Sequence, residues 1–396
     1  MSEQISRREF TNRLIKFMAM LALVGVPVAQ GTANYRRSKI DFGSEDGSLH
    51  HHTILFSPDG SAYIRGHATT PIISDPDQDP SSKQHLEQVQ LDLLNPQVAK
   101  NPNGAIEFVI VNSDRPKENG LIVYNMGIGG DIRNPVAVRE MEVLTASNPD
   151  QQIMVINNAG SGQSSLPPSP VLAEMMKKGS FTPYGLWTFD LLQDKLGEYG
   201  DAPITIWGKS LGGRVAIGLA AACGVAGRPI SNLWVIDPPW SSFPPDVTLD
   251  FLSQVPVAKN YYDQSPYNEA RDDQVPDITT NNFQSTLSAS GLLNLYNLVY
   301  LPRAMESQDG MAADLLAALG AVRGDFSILK PEYSEFGQPG PTEDLLAEAI
   351  KRASSQGWSL PDRVRVILLE NQSHGVMSTG AGQRVWATLF SIFKQQ

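Results

Sequence analysis

The chain has 396 residues, 41% of them hydrophobic and 18% charged, and a formal charge of −11 from 42 acidic and 31 basic side chains. That is the composition of a globular protein with a sizeable core rather than of a disordered chain. The acidic balance argues against a general nucleic-acid binder, which needs a basic surface to displace counterions, and the single cysteine, Cys223, excludes both an internal disulfide and a cysteine-built zinc site.

Residues 1–33 have the layout of an export signal. Arg7, Arg8, Arg13 and Lys16 precede an apolar run from Phe17 to Ala29, and small residues follow, Ala29-Gln30-Gly31 and Gly31-Thr32-Ala33. The run is too short to cross ~30 Å of hydrocarbon as a helix. Ser6-Arg7-Arg8-Glu9-Phe10 resembles the bacterial twin-arginine signal, with Thr11 and Asn12 where an apolar and a basic residue are usual. A general secretory signal and a cytoplasmic amphipathic helix are the alternatives. The expectation is a soluble product exported to the periplasm or exterior of a bacterium, with the export machinery as its partner in transit.

Residues 34–104 read as a polar extension with short strands, Thr53–Phe56 and Ala62–Gly66 around the turn Ser57-Pro58-Asp59-Gly60, and an exposed loop over Ser74–Lys83. From 105 to 396 the pattern changes. Short aliphatic runs (Ile106–Val111, Leu121–Met126, Ile153–Asn157, Ile204–Trp207, Leu233–Ile236 and Val364–Leu369) predict strands buried on both faces. Helical patterns at about 135–147, 183–197, 211–224 and 381–394 lie between and after them. Alternation of this kind predicts a doubly wound, mostly parallel α/β sheet.

One segment carries chemistry. Gly208-Lys209-Ser210-Leu211-Gly212-Gly213 follows a strand and opens a helix. G-x-S-x-G in that setting forces a tight turn that projects Ser210, and a Cβ at Gly208 or Gly212 would clash with the neighbouring strand and helix. The serine then stands at a helix N-terminus, where backbone N–H groups and the dipole favour a developing anion. The strand Leu121–Met126 ends in Gly127-Ile128-Gly129-Gly130, whose N–H groups (Gly127 or Ile128) could pair with that of Leu211 around the same oxyanion. No phosphate-binding G-x-x-x-x-G-K-[ST] is present. A third strand ends in Asn157-Asn158-Ala159-Gly160-Ser161-Gly162-Gln163-Ser164.

A glycine-rich turn, then N-x-A-G-x-G-x-S, then G-x-S-x-G-G, each after its own strand, resembles the α/β-hydrolase superfamily over roughly residues 105–394. The resemblance implies a serine nucleophile, then an acid, then a histidine in chain order. Of the six histidines only His374 follows Ser210, in Asn371-Gln372-Ser373-His374-Gly375 just past a strand. It is the candidate base, taking the serine proton and returning it to the leaving group. The acid is less sharply marked. Asp237 ends the strand Leu233–Ile236 and is the first candidate, with Asp309, Asp325 and Glu370 behind it; many relatives carry the acid one strand later, but no clean strand-Gly-x-x-Asp pattern is evident within 238–362. That long span predicts a helical cap inserted at about 240–345, with Trp240, Tyr261, Phe283 and Leu295 among its apolar residues, either lining a substrate pocket or packing ordinary helices.

The expectation is a carboxylic-ester hydrolase working through an acyl-enzyme on a small-molecule or lipid-like acyl substrate, with no cofactor, no metal and no nucleic acid. Acyl transfer on the same triad and a non-catalytic binding protein of the same fold are the alternatives. A cofactor oxidoreductase would need a dinucleotide or haem motif, and none is found. His50, His51 and His52 on one strand would point to alternate faces and so cannot easily hold one ion. Cys223 reads as a small buried side chain.

Overall fold

The structure is a computed structural model that describes residues 50–56, 62–64, 67–69, 91–127, 147–238, 308–333, 341–361 and 363–373, with positions 88, 89, 131, 132, 140, 141, 144 and 145 between them. In chain order the strands are β1 (His50–Phe56), β2 (Ala62–Ile64), β3 (His67–Thr69), β4 (Gln97–Asn101), β5 (Gly104–Val111), β6 (Leu121–Asn125), β7 (Gln152–Ile156), β8 (Ile204–Lys209), β9 (Asn232–Ile236), β10 (Asp325–Tyr333) and β11 (Arg363–Ser373). The helices are α1 (Ser169–Lys178), α2 (Thr182–Gly197), α3 (Leu211–Val225), α4 (Gln308–Ala321) and α5 (Pro341–Ser355).

Alternation along the central strands sorts side chains onto two buried faces. Leu121 and Val123, Met154 and Ile156, Ile204 and Ile206, Leu233 and Val235, and Phe326 and Ile328 lie in the core that α1 to α5 cover. Ile122 and Tyr124, Ile153 and Val155, Trp207, Trp234 and Leu329 lie in a second core on the other face. Among the described residues the strands form one sheet in the order β3-β2-β1-β11-β10-β9-β8-β6-β7-β5-β4. The run from β7 through β6, β8, β9, β10 and β11 to β1 is parallel. β5 is antiparallel to both of its neighbours, and β2 and β3 turn back on β1.

Two boundaries differ from those read in the sequence. Strands of the supposed extension belong to the sheet: β4 pairs with β5 at one side, and β1 pairs with β11 toward the other. β10 lies inside the span assigned to a cap, and α4 before it packs on α3, so residues 308–333 and 341–345 contribute to the sheet and its helical layer. Pro331 disguises β10, because proline cannot donate to a ladder and reads as a strand breaker; the register shifts between Pro331 and Tyr333. Residues 239–307, where the rest of the cap was expected, lie outside the described residues, as do 381–394, the whole of 135–139 and the whole of 1–33.

The helix α3 is buried along nearly its whole length. It meets α2 backbone to backbone: a Cβ at Gly185 would overlap the Gly218 carbonyl, and one at Gly218 would overlap the Phe181 carbonyl. Cys223 sits near the end of α3, 1% exposed, and burial pushes its thiol up to about 12, with Arg228 pulling weakly the other way. A thiolate is the reactive form. Native protein is therefore expected not to react with an aromatic disulfide reagent in mildly alkaline buffer, and to take up one equivalent once unfolded in urea; rapid reaction of the folded protein would contradict this burial.

Candidate active site

The site grows from the carboxyl end of β8. Ser210 has φ 55 and ψ −130, in the left-handed half of backbone space that a non-glycine residue adopts only under compulsion. The compulsion is local. A Cβ at Gly208 would strike the Gly212 carbonyl, and one at Gly212 would strike the Asn125 and Met126 carbonyls. Strand, turn and helix therefore pack closer than any larger residue allows. The Ser210 N–H donates to the Ile236 carbonyl at 2.8 Å, tying the turn to β9, and the Gly213 N–H donates to the Ser210 carbonyl at 2.8 Å to start α3.

The residues on either side of the serine are fixed by charge. Lys209 is buried, and its Nζ lies 3.0 Å from Glu140 Oε1, while the Tyr124 hydroxyl donates to Glu140 Oε2 at 2.5 Å. Burial, with Glu140 beside it, holds the Tyr124 hydroxyl well above its ordinary range, so it stays a donor. Four residues into α3, the buried Arg214 guanidinium lies 3.3 Å from Asp314 Oδ2 on α4 and over the Phe181 ring at 5.0 Å. Burial lowers Arg214 to about 10, against the pull of Asp314, and it remains a cation at neutral pH. Asp314 also accepts from the Ser180 hydroxyl at 2.5 Å, the Phe181 N–H at 2.7 Å and the Thr182 hydroxyl at 2.7 Å, so it caps α2 as well.

The loop after β6 lies against the serine. A Cβ built on Gly127 would stand 3.3 Å from Ser210 Cβ and 3.9 Å from its Oγ. Asn125 Nδ2 donates to the Trp207 carbonyl at 3.1 Å, joining β6 to β8 just below the turn. From β7, Asn158 Nδ2 donates to the Met126 carbonyl at 3.0 Å and to the Gly127 carbonyl at 2.9 Å. Asn157 Oδ1 accepts from the Ile132 N–H at 2.9 Å, and its Nδ2 donates to the buried Glu107 at 2.7 Å. Glu107 also accepts from the Gln163 N–H and side chain, at 2.9 and 3.1 Å, and so organises the Ser161–Ser164 loop.

The structure thus brings Ser210, Leu211 and Gly127 together. Ile128 and His374 lie outside the described residues, His374 one position beyond β11. Asp237 is fully buried at the end of β9 with φ 45, its N–H donating to the Leu329 carbonyl at 2.8 Å. Asp325 opens β10 at the amino edge of the parallel sheet, opposite the edge that carries Ser210, and it pairs with Arg365 and Ser327. Asp309 is exposed at the start of α4, whose Gly310 packs on the last carbonyls of α1. Glu370 lies within β11. The sequence reading missed Glu332, near the carboxyl end of β10. Tyr333 pairs with Ser373, so Glu332 lies beside the carboxyl end of β11. The signal available was the run Phe326–Leu329, hidden by the Lys330-Pro331 that follows.

No family model and no curated protein matches the chain. Among solved structures it is similar to the enol-lactonase from Burkholderia xenovorans LB400 (TM-score 0.48, 15% identity, covering 76% of this chain and 100% of that one). It is also similar to a thioesterase domain from the curacin biosynthetic pathway (0.46, 15%, 75% and 99%) and to a carboxyl esterase from Bacillus coagulans (0.46, 11%, 76% and 98%). The strand order with its antiparallel β5, the helices on the sheet and the strand–serine–helix elbow at β8 make this an α/β-hydrolase fold.

Proposed function

We propose that the chain is a serine hydrolase acting on a carboxylic ester or related acyl bond. The observation that carries the reading is Ser210 itself, held at positive φ between a buried strand and a buried helix. A serine that merely capped a helix would use its side chain to bind the first N–H groups from extended backbone; Ser210 makes no such side-chain cap bond. Its strain instead presents the hydroxyl beside the loop after β6. In this mechanism Ser210 Oγ attacks the acyl carbon while His374 takes its proton. N–H groups of Leu211 and of the 127–128 stretch hold the oxyanion, and His374 returns the proton to the leaving group. Water then releases the acyl group by the same steps in reverse roles. The layout of residues 1–33 supports action outside the cytoplasm.

Strand spacing bears on the acid. Neighbouring strands lie about 4.8 Å apart. β10 is the direct neighbour of β11, after which His374 comes, whereas β9 with Asp237 is two strands from it. Register therefore favours Glu332 over Asp237 as the group that orients the imidazole. Glu332→Gln is expected to lower kcat by about 10³- to 10⁴-fold, while Asp237→Asn costs less; the reverse order, measured with p-nitrophenyl acetate, would return the role to Asp237. The reading as a whole is tested by a fluorophosphonate probe. Wild type is expected to take the label at Ser210, and a folded wild-type chain that stays unlabelled would refute a serine nucleophile.

A further inference from the structure

The two consecutive asparagines after β7 have no part in the mechanism above, yet both reach the loop after β6. Asn157 holds its far end through the Ile132 N–H, and Asn158 holds its near end through two successive carbonyls, those of Met126 and Gly127. Asn158 is 7% exposed. Which way its amide points follows from its partners: both are carbonyl oxygens, which only accept, so the NH₂ group must face them. Its two hydrogens match the two acceptors. Asn157 is in turn anchored on Glu107, inside the sheet, so the clamp rests on a rigid base.

The consequence lies in the peptide plane. A trans peptide carries its C=O and N–H on opposite edges. Fixing the Met126 carbonyl therefore fixes the direction of the Gly127 N–H. β6 lies between β7, which leads to Asn158, and β8, which leads to Ser210. The Met126 carbonyl held by Asn158 leaves the Gly127 N–H turned away from Asn158, and Gly127 is in contact range of Ser210. We propose that Asn157 and Asn158 form a clamp that presets the loop after β6, and that Asn158 is a positioning residue for the oxyanion-binding amides. This rests on the serine-hydrolase reading. A hole that is already oriented costs no reorganisation when charge develops, which is where most of its catalytic value lies.

The test replaces Asn158 by aspartate, which keeps the shape, loses both donors and turns an acceptor toward two carbonyls. Two quantities are read: hydrolysis of p-nitrophenyl acetate, and inhibition by an aryl trifluoromethyl ketone, to whose carbonyl carbon Ser210 adds to give a hemiketal oxyanion. Asn158→Asp is expected to lower kcat about ten- to hundredfold with KM little changed, and to raise the ketone Ki by the same factor. A purely structural role would lower the melting temperature without moving Ki in step with kcat. If the buried charge prevents folding, Asn158→Ala carries the same expectation. Wild-type kcat in a folded variant, or a lower kcat with an unchanged ketone Ki, would overturn the clamp. A wild-type chain that neither turns over the ester nor takes a fluorophosphonate label would instead overturn the serine reading, and the clamp with it.

Discussion

Alanine at Ser210 is expected to lower hydrolysis of p-nitrophenyl acetate by about 10⁴-fold or more, leaving only the contribution of binding and the oxyanion donors. The size of the effect follows from the division of labour. In the proposed mechanism the hydroxyl is the attacking group, and no neighbouring side chain at the turn can replace it: Lys209 is tied to Glu140 and the residues beyond are Leu211, Gly212 and Gly213. Losing one Oγ from a turn whose backbone is fixed by Gly208 and Gly212 should leave the melting temperature within a few degrees of wild type. Turnover within tenfold of wild type in a variant folded by circular dichroism would show that the chemistry, if any, happens elsewhere.

The largest expected effect on stability belongs to Asp314. Asp314→Ala removes the counter-charge of a guanidinium that is 0% exposed and the acceptor for the first donors of α2. Breaking one partner out of a buried ion pair costs about 3–5 kcal/mol, because the remaining charge cannot regain water. Burial lowers Arg214 and Asp314 opposes that, so the variant also loses the charge that helps this guanidinium keep its proton. Urea denaturation of Asp314→Ala should show that loss, and a midpoint shift worth less than about 1 kcal/mol would mean that Arg214 finds another partner. A double replacement that also removes Arg214 is expected to recover part of the stability, as apolar substitutes for buried ion pairs often do.

The parts of the molecule that were legible in the sequence are those where burial on both faces writes itself as an uninterrupted aliphatic run. β6, β7, β8 and β9 lie within a residue or two of their expected bounds, and so do α2 and α3. The elbow was legible because two glycines and a serine at fixed spacing admit few backbone paths. What stayed hidden obeys a different rule. β4 is an edge strand of mixed exposure, Gln-Val-Ala-Lys-Asn, with only one face to bury and no run to show. β10 is central yet ends in Lys-Pro-Glu, and losing it from view also hid Glu332. The antiparallel course of β5 has no local signature at all, since strand direction is decided by the connection and not by the residues. The buried carboxylates Glu107, Glu140 and Asp314 carry no local mark in the sequence; only their partners, tens to a hundred positions away, turn them into anchors.

The glycine-to-glycine crossing of α2 and α3 has a mechanical consequence. Two helices whose main chains touch are stopped by atomic repulsion, which rises within tenths of an ångström, so the rod that follows Ser210 cannot slide or roll against its neighbour. The strand-end loop opposite it is tethered by exchangeable polar bonds. The serine's rod is thus a stationary jaw, and the bonds from Asn157 and Asn158 hold the facing strand end against it.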